Sequence, residues 1–419
     1  MKNSAFRILD LLERKKLLKA IYKISFFHDD PRFYQYTSQL NYSRRYSYGY
    51  SQELSSSGFS FTSPETALTK CLGEAAERLC LVFYKRSQIL KAKFSELSAH
   101  ALDPSLFSKN KNIKNKNLGW VKGVDLLKNK EILIPAQLVY LSYRADEDDT
   151  VLQYPFVSTG AAGGFTKESA LLRGLYEIVE RDAFMNAYLA KIPLPKINLP
   201  EIKDKAINSI LKTCQRYSLS LYSFETTNDL GIPSFLSLLI DRTGAGPSVS
   251  MGSKAGLKSK EALIASMGES FLTRIAIRGE MIDRISNPTR ERKDSGNDMI
   301  VERGIYWSHP SMIKNLNFLL NSKSKKFRDT KFKGSERSES KRAGDIIRSK
   351  GYGIYFVDIT HDIFREAGYR VYKVIIPNLQ PLYLREEDKQ HLDYSRLEAV
   401  AKYFNKPNFT VNSIPHPSL

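Results

Sequence analysis

Acidic side chains recur inside segments that otherwise have the composition of apolar helices. "CLGEAAERLCL" and "GLYEIVERDAF" both contain Glu-x-x-Glu-Arg, at residues 74–78 and 177–181. The two carboxylates of each pattern share a helix face, because positions i and i+3 are neighbours on an α-helix. Burying an unpaired charge is prohibitive, so these carboxylates need either arginine partners or a bound metal ion.

A third segment, "EALIASMGESFLTR", shares part of this layout. In all three segments an alanine precedes a glutamate by seven residues, about two helical turns, so both side chains lie on one face. The pairs are Ala67 and Glu74, Ala170 and Glu177, and Ala262 and Glu269. A Gly- or Ser-rich stretch precedes each segment: "SSSGFSF", "TGAAGGF" and "GSKAGLKS". This repetition favours a common function over unrelated surface ion pairs.

The cysteines of the chain form no Cys-x-x-Cys pair and no His lies among the glutamates, so the acidic cluster favours a hard cation with oxygen ligands, which indicates Mg²⁺ rather than zinc. Carboxylates beside Gly-rich turns further suggest a nucleoside triphosphate held through its metal ions. The sequence contains neither GxxxxGK[ST] nor the protein-kinase motif set. P-loop enzymes and protein kinases are therefore excluded.

The composition is that of a folded, basic protein, with 419 residues, 42% hydrophobic content and a net charge of +19. Much of the basic excess lies in Lys-rich segments at 107–120 and 321–342, which are typical of solvated loops. Since no nucleic-acid motif accompanies them, we expect no nucleic-acid partner. No secretory signal or apolar run of membrane-spanning length is present, so we expect a cytoplasmic protein without a membrane association.

Hydrophobic periodicity predicts an α/β (α+β) protein with a sizeable sheet. Predicted helices cover 4–24, 63–84, 167–189 and 259–280. Predicted strands are 131–141, 156–165 (strand followed by a Gly-rich turn), 233–241, 248–255, 351–360 and 369–377. Residues 28–50 are predicted to be loop or edge segment, and 285–345 to be rich in loops.

At these residues the sequence resembles the YcaO family, whose members use ATP to activate backbone amide carbonyls of peptides. "STGAAGGFTKESALLRGLYEIVERDAF" (158–184) is the most specific match, and "SSGFSFTSPETALTKCLGEAAER" and "MGSKAGLKSKEALIASMGE" match the family's first and third helices. "DITHDI" and "VIIPNLQPL" resemble strands of its C-terminal half. The resemblance implies a YcaO-like fold over 50–419, with sheets flanked by helices around a central ATP site, after an N-terminal helical and polar segment at 1–49.

The resemblance also implies which residues bind ATP and Mg²⁺. The implied metal ligands are Glu74, Glu77, Glu177, Glu180 and Glu269. Arg78 and Arg181 match the arginines that bind the phosphates, and Glu180 belongs to the nucleotide site as well. Lys70 and Ser60 stand at further nucleotide-contact positions, where many members carry serine and lysine. Ala265 replaces an Arg or Gln that is common in the third helix.

The last residues, "SIPHPSL", resemble the proline-rich C-terminus of azoline-forming cyclodehydratases, in which the tail (411–419 here) reaches the active site. This implies catalytic roles for Arg181, His416 and Pro417, with the imidazole assisting proton transfer near neutral pH. An extended end without function is the other interpretation of such a tail.

The implied reaction is cyclisation of a ribosomally made precursor peptide. A Cys, Ser or Thr side chain adds to the preceding amide carbonyl, ATP phosphorylates the resulting oxyanion, and phosphate leaves to give a thiazoline or oxazoline. We expect a separate E1-like leader-binding partner protein and a homodimer. Two alternatives are a thioamide-forming enzyme with a TfuA-like partner, in which sulfide is the nucleophile, and a non-catalytic scaffold that only docks substrate.

Overall fold

The computed structural model describes residues 2–41, 54–97, 100–145, 150, 152, 154, 157–288 and 296–418, without the side chains of 2–5 and 296–299. These parts of the chain combine helices and strands, as predicted for the α/β (α+β) class. No helix among them has the length and apolar character needed to cross a membrane.

The described strands form three sheets. The strands are β1 (Leu18–Lys23), β2 (Tyr34–Leu40), β3 (Leu54–Ser60), β4 (Leu90–Lys93), β5 (Asn117–Asp125), β6 (Lys130–Pro135), β7 (Ala161–Gly164), β8 (Lys196–Ile197), β9 (Leu219–Glu225), β10 (Ser234–Asp241), β11 (Val249–Ala255), β12 (Ser324–Lys325), β13 (Tyr355–Asp358) and β14 (Arg370–Ile375). Their orders are β1-β2-β3, β11-β10-β9-β8-β12, and β4-β5-β13-β14-β7 with β6 paired to β5.

The helices pack against these sheets. They are α1 (Lys2–Arg14), α2 (Pro64–Val82), α3 (Phe94–Leu97), α4 (Lys167–Leu189), α5 (Lys205–Arg216), α6 (Ser259–Ser286), α7 (Gly296–Ser308), α8 (Asn317–Leu320), α9 (Glu336–Ser349), α10 (Asp362–Glu366) and α11 (Tyr394–Tyr403). α2 contacts β3, α4 contacts β7 and β14, and α6 contacts β10 and β11. Each of the three predicted glutamate helices therefore packs on the strand that precedes it, and we call these pairs the strand–helix units.

Local capping explains where these helices begin. Ser63 caps α2 by accepting a hydrogen bond from the Thr66 N–H at 3.3 Å, and Pro64 occupies the first turn, as predicted. Thr166 caps α4 by accepting from the Ser169 N–H at 3.1 Å. A side-chain oxygen thus satisfies one of the otherwise unpaired N–H groups of each first turn.

The predicted N-terminal helix over 4–24 is wrong beyond residue 14. Lys16 has a left-handed φ of 55°, which ends the helical conformation. Residues 18–23 instead form β1, which pairs antiparallel with β2. The prediction for 28–50 missed β2, and its residues 42–50 lie outside the described residues. β1 and β2 pair in series with β3, so residues before 50 extend the sheet on which α2 packs.

Two further predictions need correction. Ala161–Gly164, predicted as part of a turn, is the strand β7, where it pairs with β14. The closely packed Gly163 leaves no room for a side chain, since a Cβ there would lie 2.4 Å from the Tyr369 ring. Residues 285–345, predicted to be rich in loops, contain α7 and most of α9, because tertiary packing stabilises helices that weak local periodicity does not reveal.

Candidate active site

The three strand–helix units fix their glutamates in the same way. In each unit, a backbone N–H in the strand, or directly before it, donates to a glutamate carboxylate of the helix that follows. The bonds are Ser57 N to Glu74 Oε2 at 2.9 Å, Gly160 N to Glu177 Oε2 at 2.9 Å, and Ser253 N to Glu269 Oε2 at 3.0 Å. Each bond uses one carboxylate oxygen and so orients the carboxylate, while the second oxygen of Glu74 and of Glu269 accepts from a cationic side chain, Arg78 and Lys254 respectively.

Glycines allow two of these helices to approach their strands closely. A Cβ at Gly58 would lie 2.2 Å from the Ala67 carbonyl oxygen and 2.2 Å from the Cys71 nitrogen. A Cβ at Gly252 would lie 2.4 Å from the Ser266 carbonyl oxygen. Because the obstacles are backbone atoms that cannot move independently, the Gly-rich strands position the helices and hence their carboxylates.

Glu77 connects two units. Its Oε1 accepts a 2.7 Å hydrogen bond from the backbone N–H of Gly163 in β7. The pKa of Glu77 is raised to about 8, mainly by burial and also by the neighbouring charges of Glu74 and Glu177, against the effect of the Gly163 hydrogen bond. Such a carboxyl group retains a proton at neutral pH unless a cation is placed beside it.

Glu180 lies deeper, with 3% of its surface exposed. Its Oε1 accepts a 2.7 Å hydrogen bond from Ser253 Oγ, and its Oε2 lies 3.5 Å from Lys254 Nζ. Burial raises its pKa to about 7; Lys254 opposes this shift and the Glu269 charge adds to it. Lys254 Nζ also donates to Glu269 Oε1 at 2.9 Å, so one ammonium group bridges carboxylates of α4 and α6.

Lys254 is a site residue that the sequence analysis missed. The signal that could have found it is a single lysine in β11, directly after Ser253, among small and apolar residues. Burial opposes its charge, but Glu180 and Glu269 together raise its pKa. The lysine therefore carries its positive charge into the site.

The predicted arginines occupy different environments. Arg78 pairs with Glu74 through Nε and Nη2, both at 2.9 Å from Oε1. Arg181 is mostly buried; its Nη1 donates to Ser418 Oγ at 2.8 Å, and its Nε, 3.9 Å from Glu180, has no hydrogen-bond partner. A buried guanidinium N–H without a partner indicates capacity for an additional anionic ligand.

The units enclose one cavity of about 1990 Å³. Its lining includes all the predicted metal ligands and arginines, namely Glu74, Glu77, Arg78, Glu177, Glu180, Arg181 and Glu269. Since single-ligand pockets occupy about 300–1,000 Å³, this space can hold a nucleotide together with part of a second ligand.

Of the two remaining residues predicted to contact the nucleotide, one lines the cavity and the other does not. Lys70 lines the cavity, with its Nζ 4.7 Å from the centroid of the Phe59 ring, and burial lowers its pKa. Ser60 lies outside the lining: its Oγ accepts hydrogen bonds from the N–H groups of Thr62 and Ser63 at 3.1 and 3.2 Å. Ser60 therefore shapes the turn before α2 rather than the cavity wall.

The C-terminal segment ends beside the cavity, but His416 is not in its wall. His416 is fully buried, and its Nε2 lies 2.8 Å from the Tyr383 carbonyl oxygen and 3.0 Å from Arg303 Nη1. Burial and the Arg303 charge keep its pKa well below the ordinary value, so the ring is neutral. Pro417 is also buried, whereas Ser418 lines the cavity at Arg181.

The donor set fits Mg²⁺ only in partnership with a ligand. Among the described residues, no three or more His, Cys, Asp or Glu side chains are close enough to hold a metal by themselves. Mg²⁺ is usually bound through one or two carboxylates together with waters and substrate phosphates, and it needs no protein-only cage. The paired oxygens of Glu180 and Glu269, which already share the cation of Lys254, meet that requirement.

Fold and site together define a class of protein in which three glutamate-bearing helices face a large cavity with basic side chains. The chain belongs to the YcaO family, described as YcaO cyclodehydratase, ATP- and Mg²⁺-binding, which matches residues 60–380. ATP and Mg²⁺ are thus the cofactors of the chain's family. The family predicted from the sequence is confirmed; the role of each site residue stays a prediction.

Two relatives of uncharacterised activity resemble the chain. A protein from the tfuA 3′ region of Rhizobium leguminosarum bv. trifolii is 30% identical over 131 residues, which is 30% of either chain. A protein of Methanothermobacter thermautotrophicus is 23% identical over 321 residues, covering 73% of this chain and 78% of the relative. The match to the Rhizobium protein therefore spans less than a third of that protein's length.

Solved structures share the fold. A heterocyclase in complex with substrate and cofactor superposes with a TM-score of 0.76 at 18% identity, covering 98% of this chain and 57% of the heterocyclase. YcaO from Methanopyrus kandleri, bound with AMPPCP and Mg²⁺, gives 0.67 at 17% identity and 92% and 93% coverage. The E. coli microcin synthetase McbBCD complex gives 0.60 at 16% identity and 85% and 86% coverage. The predicted YcaO-like fold is confirmed.

Proposed function

We propose that the chain uses ATP and Mg²⁺ to O-phosphorylate backbone amides of a ribosomally made precursor peptide, cyclising Cys, Ser or Thr to thiazoline or oxazoline. The observation that carries this proposal is the repeated bond from strand N–H to helix carboxylate, which turns three glutamates toward one cavity. The likeness to a heterocyclase over 98% of this chain supports the same reaction class.

The glutamates and arginines divide the work of holding ATP. Carboxylates repel phosphate, so Glu74, Glu77, Glu177, Glu180 and Glu269 would act by holding Mg²⁺ between themselves and the phosphates. Arg181, with an unpartnered Nε, would neutralise charge that develops on the transferred group, and Arg78 would do so from the opposite helix. ATP supplies the phosphoryl group that converts the amide oxygen into a leaving group.

The C-terminal segment supports the azoline assignment. Ser418 contacts Arg181 at 2.8 Å, so this segment closes one side of the cavity beside the proposed phosphate contact. We assign His416 and Pro417 to holding that segment in place, because His416 is neutral and buried against Tyr383 and Arg303. This replaces the proton-transfer role that the resemblance implied for His416.

We propose that the precursor peptide is delivered by a second protein. McbBCD is a complex that has also been solved with pro-MccB17 bound, which supports a partner protein, and the sequence resemblance implies that this partner is of the E1-like, leader-binding kind. The chain spans 57% of the heterocyclase it resembles, so a further part of that protein has no counterpart in the alignment. If a partner delivers the peptide, we expect activity to be weak without it and strongly stimulated by it.

Two measurements test the proposal. With partner, ATP, Mg²⁺ and a Cys-containing precursor peptide, mass spectrometry should detect the loss of one water per ring. Calorimetry should detect binding of a non-hydrolysable ATP analogue that Glu177→Ala and Glu180→Ala abolish. Glu131→Ala, at an exposed ion pair with Lys122, is the matched control. Unchanged nucleotide binding in both cavity variants contradicts the site assignment.

A thioamide product is the second candidate, and one observation favours it. The Rhizobium relative that is 30% identical over 131 residues is encoded in the tfuA 3′ region. With a TfuA-like partner and a sulfide source, the peptide would exchange one oxygen for sulfur and gain mass instead of losing water. The sign of the mass change therefore distinguishes the two reactions. A protein that binds ATP but forms neither product and releases no phosphate would instead be a docking scaffold.

A further inference from the structure

Lys254 places its ammonium group between two carboxylates of different helices. Its Nζ lies 2.9 Å from Glu269 Oε1 on α6 and 3.5 Å from Glu180 Oε2 on α4. Both carboxylates belong to the set that the proposed function assigns to Mg²⁺. The lysine thus occupies the space that a metal ion shared by these two oxygens would fill.

The preceding residue sets up this arrangement. Ser253 donates its backbone N–H to Glu269 Oε2 at 3.0 Å and its hydroxyl to Glu180 Oε1 at 2.7 Å. One oxygen of each carboxylate is therefore fixed by Ser253, and the other oxygen of each faces the same cation. Two carboxylate oxygens converging on one cation are what Mg²⁺ takes from a protein when phosphates and water supply the rest.

The Lys254 side chain has access to the cavity. Its side chain is 38% exposed and lines the cavity, whereas Glu180 is 3% exposed. A lysine carries a compact charge on a flexible stem of four carbons, so its head group can move while the strand stays in place. Lys258, which also lines the cavity, is held 3.3 Å from Glu339, away from the five predicted metal ligands.

We propose that Lys254 is a resident counter-cation, which neutralises Glu180 and Glu269 until Mg²⁺ arrives with the nucleotide, and then turns to the phosphates. The proposal rests on the proposed function, since it assumes that these glutamates bind Mg²⁺. It goes beyond that function by assigning an order of binding. Mg²⁺ alone is kept from Glu180 and Glu269 by the lysine, and it binds there only together with the phosphates of the nucleotide. Lys254 becomes a positioning residue for the nucleotide.

Metal binding without nucleotide tests this assignment. Mn²⁺, as a probe for Mg²⁺, is titrated into the full chain, and free Mn²⁺ is followed by electron paramagnetic resonance. Lys254→Met should bind Mn²⁺ about tenfold more tightly than the wild type, because one competing positive charge is gone. Lys254→Arg should keep the wild-type weakness, and Lys122→Met, at the exposed ion pair with Glu131, is the control that should leave the Mn²⁺ affinity unchanged.

Thermal unfolding supplies a second readout. Without divalent ions, Lys254→Met should melt below the wild type, because two carboxylates lose their counter-charge; Mg²⁺ alone should raise its Tm but not that of the wild type. Lys254→Gln is measured in parallel in case Lys254→Met does not fold. The glutamine side chain keeps a hydrogen-bond donor for Glu269. Equal Mn²⁺ affinity in wild type, Lys254→Met and Lys254→Gln overturns the inference. Loss of the proposed function has a different signature, namely a wild type that binds no nucleotide with Mg²⁺.

Discussion

The backbone N–H of Gly163 donates to the Glu77 carboxylate at 2.7 Å, joining residues that are 86 positions apart in the sequence. Through this bond the strand of the second strand–helix unit holds a carboxylate of the first. Glu77 consequently lies near Glu74 and Glu177, whose charges help to raise its pKa. The acidic groups around Glu77 should therefore make the stability of the protein depend on pH.

Glu77→Gln should remove part of the pH dependence of stability. The pKa of Glu77 rises from 4.5 to about 8 on folding, mainly through burial. Its contribution to stability is therefore fully present below the unfolded pKa and is lost as the pH rises through about 8. Urea unfolding from pH 5 to 9 without Mg²⁺ should show a decline for the wild type that is shallower for Glu77→Gln. Parallel declines would contradict the assigned ionisation.

Gly58→Ala should strongly destabilise the protein, because its Cβ would lie 2.2 Å from backbone atoms of α2. Overpacking of this kind costs at least about 1–3 kcal/mol. Gly279→Ala is the matched control: nothing lies within 4 Å of its added Cβ, and it sits inside α6. That variant should gain up to about 1 kcal/mol from helix propensity. Urea midpoints measure both, and a neutral Gly58→Ala would refute the close contact.

Arg396→Met should destabilise the chain and weaken nucleotide binding. Arg396 holds the fully buried Asp182 at 2.6 Å, and Asp182 is next to Arg181 on α4. Removing the arginine leaves an uncompensated buried charge, which costs about 3–5 kcal/mol. Lys325→Met, at the more exposed pair with Glu225, should change the free energy of unfolding by about 1 kcal/mol or less. Equal changes in the free energy of unfolding for the two variants would contradict the role assigned to Arg396.

His416→Asn separates an anchoring role from a catalytic one. The ring packs against Arg303 and Tyr383 and is neutral, so the variant should lower Tm and kcat by loosening the C-terminal segment. The shape of the pH–rate profile should stay that of the wild type, because no titrating group of the reaction is removed. Loss of one limb of the profile would restore the proton-transfer role.

Local patterns were enough to predict the three glutamate helices. The second was predicted at 167–189 and spans Lys167–Leu189, and the first begins with its Ser63 cap as predicted. Helical periodicity and caps act over a few residues, so they can be found by inspection. β1 and the Gly-rich β7 were not found, because strand pairing depends on partners distant in the sequence.

The sequence by itself thus predicted the fold class and, through its resemblance, the family, and helix spacing showed which acidic residues share a face; their role as metal ligands stays a prediction. Only the tertiary structure placed Lys254 between Glu180 and Glu269, and buried His416 away from the cavity. Ser60, too, took its role in a turn from contacts that folding created. Spacing along a helix determines which side chains share a face, whereas a partner on another element is fixed by packing between segments far apart in the chain.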